Sequence, residues 1–152
     1  MLKEKVDKLV DKYLDEVISI RRHIHQNPEL SLKEFETSKF VANELRKIGL
    51  EAQEGVGKTG VVSNLNLGKG EKTLMLRADM DALPIQEETG LPFSSKNPGV
   101  MHACGHDIHT SILLGVTKVL NGIKDEINGN VKFVFQPAEE NNPVGGAPLM
   151  IK

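Results

Sequence analysis

The sequence is short of the features that would send it to a membrane, to nucleic acid or outside the cell. It has one cysteine, no tryptophan and few aromatics of any kind (4%). One cysteine excludes an intramolecular disulfide and points to a reducing cytoplasm. No apolar run approaches the roughly 18 residues that a membrane span requires, and Met1-Leu2-Lys3-Glu4-Lys5-Val6 lacks the apolar core of a secretion signal. Neither sign of charge dominates, with 19 Lys and Arg against 21 Asp and Glu, so no basic stripe argues for nucleic acid. Internal repeats and low-complexity tracts are also missing. What remains is an ordinary globular composition, 39% hydrophobic and 26% charged over 152 residues, enough for one domain with a real core.

Periodicity gives a coarse architecture. Val6, Leu9, Val10, Tyr13, Val17, Ile20 and Ile24 recur at steps of three and four, which predicts an amphipathic helix ending before Asn27-Pro28. Ser31 with Glu34 forms a capping-box pattern for a second helix through Ile48, closed by Gly49. Strands are expected over Leu50–Glu54 and Gly60–Leu67. After a Lys69-Gly70 turn, a buried strand follows over Thr73–Ala78. Residues 79–105, with prolines at 84, 92 and 98, read as a long loop of the functional kind. A third helix begins near Asp107, with Ile108, Ile112, Leu113, Val116, Val119 and Leu120 facing the core. A last strand covers Val131–Phe135. Helices interleaved with apolar strands indicate an α/β sandwich, whose ligands gather where strands end.

The chemistry-bearing residues fall at those strand ends. Cys104 and His106 sit two apart in Met101-His102-Ala103-Cys104-Gly105-His106-Asp107, so an extended backbone aims both side chains the same way. Metal ligation is the first reading. An inert buried cysteine, or a Cys104 nucleophile with a histidine base, are the alternatives. Asp79 and Asp81 follow a strand at the same spacing. They orient a histidine ligand, hold an ion, or merely cap a turn. Glu139 and Glu140 follow Phe135-Gln136-Pro137-Ala138. If extended, they point to opposite sides, one toward a metal and one toward an attacking water as general base; the alternative is an exposed acidic turn. His23 and His25 read as structural residues at the C-terminal end of the first helix, and His102 and His109 flank the candidates without joining them.

Five blocks, in order, carry a family resemblance. They are Arg21-Arg22-His23-Ile24-His25 with Pro28-Glu29-Leu30, then Arg77-Ala78-Asp79-Met80-Asp81-Ala82-Leu83-Pro84, then Glu88-Thr89-Gly90-Leu91-Pro92-Phe93, then His102 to Asp107, and finally Gln136 to Glu140. Together they resemble the M20 family of metallopeptidases and amidohydrolases, in its N-acyl-L-amino acid amidohydrolase subgroup (hippurate hydrolase and IAA-amino acid hydrolase-like). The resemblance implies a three-layer α/β/α sandwich with a mixed sheet and two divalent metal ions at the strand ends. Zinc suits thiolate and imidazole, with manganese, cobalt or nickel as alternatives. It implies Cys104, His106 and Glu140 as ligands, Glu139 as general base, and a catalytic aspartate in Asp79-Met80-Asp81. The histidine-x-aspartate spacing of other members favours Asp81 for that role.

The implied substrate is a small N-acyl amino acid or short peptide, with no nucleic acid or membrane partner and homo-oligomers possible through an exposed sheet edge. Family members run to more than twice this length and carry an inserted lid or dimerisation domain. Residues 1–152 thus correspond to the N-terminal part of a catalytic domain, and such a part is expected to be inactive alone. A non-catalytic remnant that only binds metal or a partner is the competing reading. After Glu140 the family runs directly into a glycine-rich turn. Here Asn141-Asn142-Pro143-Val144 precedes Gly145-Gly146.

Overall fold

The computed structural model describes residues 1–67, 70–141 and 143–151. In chain order the elements are α1 (Leu2–Gln26), α2 (Phe35–Lys47), β1 (Gln53–Val56), β2 (Gly60–Leu65), β3 (Thr73–Asp79), α3 (His106–Gly122), a 3-10 turn (Lys124–Glu126), β4 (Asn130–Gln136) and α4 (Ala147–Ile151). The four strands form one mixed sheet in the order β1-β2-β4-β3, antiparallel except for the parallel β3–β4 pair. The mixed α/β architecture is therefore the one expected.

Alternation along the strands assigns the two faces of the sheet. Val61, Leu65, Val131, Phe133, Phe135 and Ala78 are buried against Val41, Ala42 and Leu45 of α2 and Leu113 and Leu114 of α3. Ile20 and Ile24 of α1 complete this core. On the opposite face Met75 is exposed, and α4 comes against the start of β2, where a Cβ on Gly60 would meet Met150 Cε at 2.8 Å. Three helices thus cover one face, and α4 is the described segment on the other.

Several boundaries differ from the expected ones. The first strand starts at Gln53 rather than Leu50, because Leu50 is buried in the core while Ser63 of β2 donates to the Glu51 carbonyl at 2.6 Å. Lys69 lies outside the described residues, and Gly70 has φ +82°. The second helix begins at Phe35, and its first turn is capped from a distance. The Glu29 carboxylate accepts from the Glu36 and Thr37 amides at 3.2 and 2.8 Å. Ser31 and Glu34 do not cap it.

Helix α3 presents a different face from the one expected. Ile108 and Ile112 are exposed, and Asp107, Thr110, Ser111, Thr117 and Lys118 are buried beside Leu113 and Leu114. These polar residues go inside because each finds a partner, Asp107 through Oδ2 alone. Ser111 and Thr117 donate back to the carbonyls of Ile108 and Leu114. Thr110 donates to the Asp79 carbonyl at 2.8 Å, and Lys118 reaches Glu16 and Glu44.

The parallel pairing matters most for the site. Register places Asp79 opposite Gln136, so both strands end side by side, with α3 starting above them. Segments 79–81, 104–106 and 137–140 meet there. The loop leading to α3 is ordered around Glu87, whose carboxylate accepts from Ser95 N at 2.6 Å, from the Thr89 hydroxyl and from His25 Nε2 at 3.1 Å. Burial works against this carboxylate's charge, but those hydrogen bonds outweigh it and hold its pKa at about 2.

Candidate metal centre

At the start of α3, Gly105 has φ +93° and ψ +19°, a left-handed conformation open to glycine at little cost. A Cβ there would touch nothing within 4 Å, so the backbone angle, not space, selects glycine. This turn, rather than the extended run expected, brings the exposed Cys104 over the buried His106, the first residue of the helix. Glu139 and Glu140 also depart from extended geometry. Ala138 has φ +55°, and Asn141 N donates to the Ala138 carbonyl, so the two glutamates ride on a turn.

The result is a three-donor cluster. The Cys104 thiol, one ring nitrogen of His106 and one carboxylate oxygen of Glu140 lie within 4.8 Å of one another. Beneath them Asp81 is almost fully buried, and both of its oxygens are engaged. Oδ1 accepts from Glu139 N at 3.0 Å, and Oδ2 accepts from Glu140 N at 2.9 Å and from the Ser31 hydroxyl at 2.6 Å. The Asp81 backbone carbonyl accepts from His106 Nδ1 at 2.9 Å, and Asp81 Oδ1 lies 3.3 Å from the same nitrogen. In the neutral ring this fixes the tautomer with the proton on Nδ1 and the lone pair on Nε2. Glu139 stands alongside, its side chain 43% exposed and its Oε2 3.8 Å from His106 Nε2.

The electrostatics follow from this packing. Burial raises the Asp81 pKa, but hydrogen bonds from His106, Ser31 and the two amides prevail and hold it at about 2. His106 is raised to about 9, chiefly by its hydrogen bond with Asp81, against the opposing effect of burial. The Cys104 thiol is pushed up by its hydrogen bond with Glu140, by burial, and by the nearby Glu140, Glu139 and Asp81 charges. A thiol crowded by carboxylates is a poor nucleophile at neutral pH, which argues against a cysteine hydrolase. The same crowding suits a cation, which reverses the local preference and favours thiolate. Thiolate, imidazole and carboxylate are a donor set that fits zinc and its neighbours.

The other predicted residues divide. Asp79 does not join the cluster. Its carboxylate takes the Arg77 guanidinium at 2.6 Å and lies 3.3 Å from His109 Nδ1. His23 stacks on Phe40 at 4.3 Å, as a structural residue would.

His25 does more than its sequence position suggested. It is buried and bridges the loop to the metal segment, with Nδ1 2.8 Å from Asp107 Oδ2 and Nε2 3.1 Å from Glu87; Arg21 Nε donates to the same Asp107 oxygen at 2.7 Å. His102 is buried with neither ring nitrogen hydrogen-bonded, and burial lowers its pKa to about 4. Sequence reasoning missed His25 and Glu34. The partners that give them their roles lie 25 to 104 residues away, and no local pattern marks either residue.

Residues 75–152 match peptidase family M20/M25/M40. Thermostable carboxypeptidase 2 of Saccharolobus solfataricus is 53% identical over 152 residues, which cover 99% of this chain and 39% of that protein. An N-acyl-L-amino acid amidohydrolase of Geobacillus stearothermophilus is 47% identical over 100% of this chain and 41% of its own length. Among solved structures, a dinuclear metal-binding peptidase from the M20 family of Bacillus subtilis superposes with a TM-score of 0.81 at 44% identity. That match covers 86% of this chain and 36% of that one. The chain thus spans about two fifths of the length of the curated relatives it matches.

Proposed function

We propose that this chain, which belongs to peptidase family M20/M25/M40, forms the N-terminal part of the catalytic domain of a metal-dependent amidohydrolase that cleaves the amide bond of N-acyl amino acids. The observation that carries the reading is the convergence of Cys104, His106 and Glu140, with the partly exposed Glu139 beside them. The identity to an N-acyl-L-amino acid amidohydrolase supports the substrate class, and the dinuclear relative supports a second ion.

In this reading Cys104 Sγ, His106 Nε2 and Glu140 hold a divalent ion, zinc by donor chemistry. An ion held there would supply Lewis-acid chemistry, polarising a carbonyl and lowering the pKa of water from about 15.7 toward about 7. Asp81 keeps His106 in the tautomer that presents Nε2. Glu139 takes the proton from the attacking water and returns it to the leaving nitrogen, so the products are a carboxylic acid and a free amino acid. Asp81 fits the family's catalytic aspartate through its contact with His106. Asp79, tied to Arg77 and His109, fits a supporting role.

The test is metal content after purification and dialysis, beside release of free amino acid from N-acyl substrates. Stoichiometric metal in the parent protein, lost in Cys104→Ala and His106→Ala, is expected. Glu139→Gln should keep the metal and lose hydrolysis by a factor of about 10²–10⁴ in any form of the protein that shows activity. A parent protein without metal would sink the reading. A second reading, a metal- or partner-binding domain without catalysis, is favoured by one specific observation: only three donors gather among the described residues, whereas two zinc ions want about four each.

A further inference from the structure

Glu34 is fully buried and lies far from any role as a ligand, yet it grips the segment that carries Glu139 and Glu140. One of its oxygens accepts from Ala138 N at 2.8 Å, and the other accepts from the Thr59 hydroxyl at 2.6 Å. Thr59 is 1% exposed, so the anchor is as buried as the carboxylate it holds. The next two amides, Glu139 N and Glu140 N, donate to Asp81. Three successive amides are therefore bound by two buried carboxylates that come from different parts of the chain.

The run of bound amides begins at Ala138, which is left-handed with φ +55°. For a residue with a Cβ this conformation is unfavourable, and it persists only where the surroundings impose it. Glu34 binds the amide of the strained residue itself, and Asp81 binds the two amides that follow. Burial raises the Glu34 pKa, and hydrogen bonds from Thr59 and from the Glu34, Ala138 and Leu32 amides counter that rise.

We propose that Glu34 is a positioning residue for the metal centre, acting through the Ala138 amide to hold the Glu139 and Glu140 carboxylates in place. This rests on the metal-site reading above. Without the grip, Ala138 relaxes toward ordinary backbone angles, and the carboxylates of residues 139 and 140 swing away from Cys104 and His106.

Cobalt(II) titration followed by its visible ligand-field bands tests this, since those bands report the donor set as well as the affinity. Glu34→Met removes the acceptor while keeping the volume. It should weaken cobalt binding by about tenfold or more, the usual effect of an outer-shell partner, and shift the bands. Glu34→Gln keeps an acceptor for Ala138 N, with the Thr59 hydroxyl turned to accept from the new amide, and should restore both affinity and spectrum. If Glu34→Met fails to fold, Thr59→Val decides, with an expected loss of about threefold to tenfold for one hydrogen bond of about 0.7–1.4 kcal/mol. Wild-type affinity and bands in the folded Glu34→Met protein, or in Thr59→Val where the first does not fold, would overturn the positioning role alone. An absence of cobalt bands in the wild type would overturn the metal reading, and this proposal with it.

Discussion

At the scale of single residues, a carboxyl as deeply buried as Glu34 gives stability a pH dependence of definite sign. Its pKa is raised above the ordinary value of 4.5 by burial. Between that value and the native pKa, the folded protein holds a proton that the unfolded chain has released. The stability contribution is therefore full below about pH 4.5 and is lost as pH rises through the native value. Glu34→Gln does not titrate, so its stability relative to wild type should improve as pH rises from about 4.5 to 7. Urea midpoints at several pH values check this, and parallel curves for the two proteins would contradict it.

The same residue shows what the sequence leaves illegible. Ser31 and Glu34 have capping-box spacing, but Ser31 donates to Asp81 and Glu34 binds Thr59 and Ala138. Both were drawn from the helix start to the site by partners distant in the chain. Cys104, His106, Glu139 and Glu140 were legible because they cluster within two short motifs. Their geometry was not, since it depends on left-handed angles at Gly105 and Ala138 that no periodicity records.

At the scale of elements, strands and helices were legible where apolar spacing is strong, as in β4 and in α1, which ends at Gln26 just before Asn27-Pro28. The buried face of α3 was not, because Thr110, Thr117 and Lys118 read as solvent-facing until their partners are known. The contact between α1 and α3 rests instead on small residues. A Cβ on Gly115 would meet Val17 Cγ2 at 2.9 Å, and one on Gly122 would meet Leu9 Cδ1 at 2.9 Å.

Two effects compete in Gly→Ala changes here. Helix propensity favours alanine by up to about 1 kcal/mol, whereas overpacking costs about 1–3 kcal/mol where the neighbour cannot yield. Val17 is β-branched and held to essentially one rotamer in a helix, so the clash prevails at position 115. Leu9 presents the end of a longer side chain, and Gly122 is the last helical residue, so both terms shrink there. Gly115→Ala should destabilise by about 1 kcal/mol, and Gly122→Ala should stay within about 0.5 kcal/mol of wild type. Urea unfolding measures both, and the reverse order would mean that α1 shifts freely over α3.

At the scale of the whole molecule, the candidate centre draws on segments 31–34, 79–81, 104–106 and 138–140, which are far apart in the chain and meet only when the sheet is formed. An ion that needs this convergence binds the folded chain and stabilises it globally rather than locking one loop. At a metal concentration one hundred times the dissociation constant the gain is about 2.7 kcal/mol. A chain of this size gains about 2–4 °C in Tm per kcal/mol, so saturating zinc should raise Tm by about 5–10 °C, and a chelator should return it. Residual binding to the unfolded chain's cysteine and histidines lowers that figure without changing its sign. Cys104→Ser supplies the control. Cys104 is exposed, so its removal should leave the metal-free Tm nearly unchanged while abolishing most of the zinc-dependent rise. A rise of equal size in the variant would place the stabilising ion elsewhere on the molecule, and no rise in the parent would mean that these four segments do not assemble a site.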